Sequence, residues 1–71
     1  MHQENILDAL SHKFEGEIEY HKTNILVYLN NPVGIGEHPD VLGAIETEIQ
    51  KMSECKEKLE VVKQFYEMIL T

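Results

Sequence analysis

The sequence predicts an all-α protein, a two-helix antiparallel hairpin that dimerises into a four-helix bundle. Apolar residues recur at steps of three or four through both halves of the chain, the spacing of one helix face. A single break rich in proline and glycine, running from Asn30 through Pro32, Gly34, Gly36 and Pro39 to Asp40, separates the halves. The length, 71 residues, holds one domain, and a chain of that size buries only about 60% of the surface it exposes when unfolded. Small folds supplement such a core with disulfides, a metal or a second subunit. With one cysteine, Cys55, there is no intramolecular disulfide, and no metal-ligand spacing is evident, so a second subunit is the expected supplement.

Helix 1 is predicted over about residues 4–30. Leu7, Leu10, Phe14, Ile18, His21, Ile25 and Tyr28 form its inward face. Asn5 with Asp8 three residues on is the expected N-cap and first-turn acid, and Pro32 stops the helix by disfavouring helical geometry at Asn31. A connection over residues 31–38 follows. Helix 2 is predicted over about residues 39–69, with Pro39 in the first turn and Asp40 at the positive end of the dipole. Leu42, Ile45, Ile49, Met52, Lys56, Leu59, Val62, Tyr66 and Ile69 carry its stripe, and Cys55 is placed to fill the gap at Lys56. Glu54 with Lys58 and Lys56 with Glu60 are expected ion pairs on the outer face.

Folding the chain back so that Leu29 meets Val41 sets Ile25 by Ile45, Ile18 by Met52, Phe14 by Cys55, Leu10 by Leu59 and Leu7 by Val62. The two stripes then agree in register. Gly16 and Gly43 each weaken a helix by ~1 kcal/mol relative to alanine and admit a close neighbouring backbone. Phe65, Tyr66, Ile69 and Leu70 fall opposite residues 1–5 and are the predicted interface with a second copy. Ile6, Tyr20, Leu26, Val27 and Val61 widen the apolar surface further, and burying a large side chain is worth roughly 1.5–3 kcal/mol. A homodimer closing a four-helix bundle is the simplest solution.

The formal net charge of −7, with six lysines or arginines against thirteen acids, argues against nucleic acid as a partner. No apolar run approaches the ~20 residues of a bilayer span, and Met1-His2-Gln3-Glu4-Asn5 lacks the features of a secretion signal, so no membrane partner and a cytoplasmic location are expected.

No set of residues has the types and spacing of a catalytic or cofactor site, and neither enzymatic activity nor a cofactor is expected. Glu17 and His21, one helical turn apart, offer an alternative: a metal-binding bundle with a His21/Glu17 site at the subunit interface. Carboxylate-bridged bundles place a glutamate three residues before a histidine, and no histidine here has one. Gly34-Ile35-Gly36 lacks the preceding strand and following lysine of a phosphate loop, and Glu37 and Asp40 repel phosphate. Cys55, between Glu54 and Lys56, has no activating base or second cysteine and reads as a packed seam thiol. The connection itself, through Val33, Ile35 and His38, is a candidate recognition loop, with a rigid chain-turning cap as the competing reading.

The string Asn31-Pro32-Val33-Gly34-Ile35-Gly36-Glu37-His38-Pro39-Asp40, followed by Val41-Leu42, Ile45-Glu46-Thr47-Glu48-Ile49 and Lys58-Leu59-Glu60-Val61-Val62, resembles small proteins of tailed phages that infect marine cyanobacteria and recur in ocean metagenomes. The resemblance covers about residues 20–66 and leaves the segment through Phe14 outside it. It implies a phage source and a partner in the phage or its host, and no reaction. The expected role is therefore non-enzymatic: protein–protein interaction, or a minor assembly component.

Overall fold

The computed structural model describes residues 2–30 and 40–70, which form two helices, α1 (Gln3–Asn30) and α2 (Val41–Leu70), packed against each other. The candidate recognition residues Val33, Ile35 and His38, together with Pro39, lie outside the described residues. Cross-helix bonds join Glu4 to Tyr66, Glu17 to Cys55 and His21 to Glu48, so the helices run antiparallel in the register the apolar pattern predicts. The molecule measures 55 × 16 × 14 Å, with a radius of gyration of 16.4 Å. A compact chain of this length has about 11 Å. It is a rod two helices thick.

The start of α1 differs from the expected cap, while at α2 Asp40 stands at the positive end of the dipole as expected. At α1, the carbonyl of His2 accepts from the N–H groups of Asn5, at 3.0 Å, and Ile6, at 3.2 Å, which places Asn5 inside the first turn instead of at the cap. At α2, Asp40 is the cap: its Oδ1 accepts from the Gly43 N–H at 2.8 Å and its carbonyl from the Ala44 N–H at 3.0 Å. At the far end of α1, Asn30 Nδ2 donates to the Leu26 carbonyl at 2.9 Å, satisfying one of the acceptors a helix end leaves open.

The seam follows a strict three-four alternation. Leu7, Ser11, Phe14, Ile18, His21 and Ile25 of α1 are half-buried, facing Val41, Ile45, Glu48, Met52, Cys55, Leu59, Val62, Tyr66 and Ile69 of α2. That alternation averages 3.5 residues and is the pattern of a coiled-coil pair. It corrects the expected faces. Leu10 gives way to Ser11, while Leu42, Ile49 and Lys56 are exposed and Val41, Glu48 and Cys55 take their places. Leu42 is 83% exposed. The expected pairing of Glu54 with Lys58 also gives way: Glu54 accepts from Gln50 Nε2 at 3.4 Å, and the Lys58 ammonium lies 5.6 Å from the Phe14 ring centre.

Among the described residues only Cys55, at 4% exposure, and Val62, at 7%, are buried. Two helices cover each other along one stripe only, so the remaining apolar side chains border solvent.

Candidate functional site

Two features are candidates for function: a polar layer inside the seam and an apolar groove along its edge. The polar layer lies at mid-rod. His21 Nδ1 donates to Glu48 Oε2 at 2.5 Å, and an ionised carboxylate only accepts, so Nδ1 carries the proton. Tyr20 sets its ring edge-on to the His21 ring, with centres 5.2 Å apart. One turn earlier, the Cys55 thiol donates to Glu17 Oε2 at 3.3 Å, and Lys13 Nζ lies 3.5 Å from the same carboxylate.

These contacts set the protonation of the layer. The bond from His21 holds the Glu48 carboxyl below its ordinary value, and Asn24 adds to this. The bond from Cys55 does the same for Glu17, with the Lys13 charge contributing. Burial pushes the Cys55 thiol up, and the Glu17 carboxylate pushes it further. A buried thiol held in its protonated form beside a carboxylate is a poor nucleophile, in keeping with the packed thiol expected at this position.

The layer also specifies register. Sliding α2 by one heptad in one direction sets Glu17 against Glu48, two like charges, and His21 against Val41. Sliding it the other way sets Glu17 against Val62 and His21 against Cys55. Either slip takes the Cys55 thiol from Glu17 and the His21 imidazole from Glu48, so both carboxylates lose the donor seated against them. Glu17 and His21 thus face α2 within their own chain, and among the described residues no group of three or more histidine, cysteine or acidic side chains is placed to hold a metal ion.

The groove lies at the end of the rod that carries the termini. Phe14 with Glu54, Glu57, Lys58, Val61 and Val62 lines one part, and Gln3, Ile6, Leu7, Phe65 and Ile69 line the next. Lys13 and Lys58 both bring their ammonium groups to 5.6 Å from the centre of the Phe14 ring. Of the four predicted interface residues, Tyr66 and Ile69 turn into the seam, where the Tyr66 hydroxyl donates to the Glu4 carbonyl at 3.5 Å. Phe65, at 49% exposure, and Leu70, at 67%, stay outside it. Sequence reasoning had set all four opposite the start of helix 1. It missed Val61 and Phe14 as neighbours in one groove: Phe14 lies on the stripe of helix 1, and Val61 is among the residues that widen the apolar surface beyond the seam.

No helix among the described residues is long and apolar enough to cross a membrane. Compared with known proteins, the chain matches no family model, no curated protein and no solved structure.

Proposed function

We propose that the chain is a non-enzymatic, self-associating helical hairpin, two copies of which complete one four-helix bundle. It acts in the cytoplasm as a protein–protein interaction module or minor assembly component of a phage. The observation that carries the proposal is the surface left open. The chain exposes 5483 Å², whereas a compact monomer of its mass exposes about 4,500 Å². With two buried residues among those described, the hairpin lacks the core that holds a single domain together, and a second hairpin supplies it. The string Asn31 to Asp40 and its likeness to phage proteins support the setting.

Light scattering on the eluting peak of a size-exclusion column, with circular dichroism on the same fractions, tests the proposal. A helical species of at least twice the 8.2 kDa chain mass is expected. A helical, cooperatively melting monomer at high concentration overturns it.

A further inference from the structure

We propose that the groove at the termini end of the rod, floored by Phe14, Val61 and Val62 and continued by Ile6 and Phe65, is where a second copy of this chain docks about a two-fold axis. This rests on the self-association proposed above and names the face that carries it.

The groove is selected by its construction. A helix of a four-helix bundle packs into the furrow between two others, so its docking site needs walls from both helices. The groove has them: Phe14, Ile6 and Leu7 come from α1, and Val61, Val62 and Phe65 from α2. The competing apolar surface, around Leu42 and Ile49 near the other end, is lined among the described residues by Asp40, Leu42, Gly43, Ile45, Glu46 and Ile49, which come from the α2 side. By the heptad pattern, Leu42 and Ile49 also lie on the opposite flank of the seam from Phe65 and Leu10.

Area agrees with the choice of partner. The chain's excess over a compact monomer is about 1,000 Å², close to the ~800 Å² each partner buries in a standard interface. A two-fold contact must also be complementary to itself, since the same patch meets its own copy. The groove carries both signs of charge beside its apolar floor: Lys58 on one hand, Glu54 and Glu57 on the other. A two-fold axis beside Val61 sets that residue against its own copy, with Phe14 and Phe65 in the same apolar contact and the Lys58, Glu54 and Glu57 charges along its edge. The net charge of −7 on each chain opposes the approach at long range, so added salt tightens the dimer by screening it.

The test uses the full chain and three variants, Phe65→Asp, Leu42→Asp and Val61→Cys. Sedimentation equilibrium gives the dissociation constant, and circular dichroism reports the helix. Phe65→Asp is expected to weaken the dimer roughly a thousandfold, because a two-fold contact uses the residue twice, while Leu42→Asp leaves it within a few-fold. A short bismaleimide is expected to join Val61→Cys chains in pairs and to leave the parent chain, whose Cys55 is buried, unjoined. This cross-link decides the matter if Phe65→Asp fails to fold. A dimeric parent that survives Phe65→Asp, or that dissociates with Leu42→Asp instead, overturns the assignment of the face and leaves self-association standing. A helical parent that stays monomeric overturns both.

Discussion

Replacing Gly16 by alanine should make the protein more stable. Gly16 lies in the middle of α1 on the side away from the seam, and a Cβ built there meets nothing within 4 Å. The substitution therefore gains helix propensity with no steric cost, worth about 0.8–1.0 kcal/mol at an exposed interior position. For 71 residues the unfolding entropy is about 150 cal/mol/K, so the melting temperature should rise by about 6 °C. Urea unfolding followed by circular dichroism should show a higher midpoint with an unchanged slope, at a protein concentration matched to the parent. An unchanged or lower midpoint would refute the reasoning, because it would mean that a second backbone lies against Gly16 and needs its missing side chain. The same substitution at Gly43 is not equivalent: a Cβ there collides with the Asp40 carboxylate and displaces the cap.

Four further outcomes are expected. Aspartate at Leu59 or Val62 places an uncompensated charge in the seam and should cost about 3 kcal/mol or more, whereas Thr47→Asp or Leu42→Asp should shift the melting temperature by no more than about two degrees, both sites being exposed. Asp40→Ala removes the cap on the Gly43 N–H and should cost about 1 kcal/mol in urea unfolding. Glu17 and Glu48 titrate below the ordinary carboxylate value of 4.5, so the stability they contribute is present above that pH and lost as the pH falls through their lowered values. In His21→Ala the Glu48 carboxyl loses its principal donor and should titrate closer to 4.5, so the variant melts lower than the parent near neutral pH and its acid limb is shallower; limbs of equal depth would count against the bond. Cys55 titrates above 9.0, so its contribution is present below that pH and lost on raising it, and iodoacetamide should modify the native thiol far more slowly than the urea-unfolded one.

The hairpin was legible because apolar periodicity over two long segments is a strong signal, and the predicted pairing of Ile18 with Met52 and of Phe14 with Cys55 agrees with the cross-helix bonds observed. The face of α2 was misread near its start. A stripe sought by hydrophobicity prefers Leu42 and Ile49 to Val41 and Glu48, since a glutamate scores as solvent-facing. Glu48 belongs to the seam because His21 stands opposite with a proton to donate, a tertiary fact that the local sequence does not carry. The signal that finds it is the strict alternation counted back from Ile69 through Val62 and Cys55, which lands on Glu48 and Val41. Ser11 displaced Leu10 for the same reason. The α1 cap was missed differently: the His2 carbonyl takes the role expected of the Asn5 side chain, and any residue offers a carbonyl.

Self-association is tested most directly by the melting temperature as a function of protein concentration. Unfolding coupled to dissociation makes the midpoint rise with concentration, whereas unimolecular unfolding leaves it fixed. Circular dichroism melts over about a thousandfold dilution should show the midpoint falling steadily by several degrees for a chain of this size. A cooperative transition at one temperature throughout that range would contradict it, showing that the hairpin holds its two helices together alone.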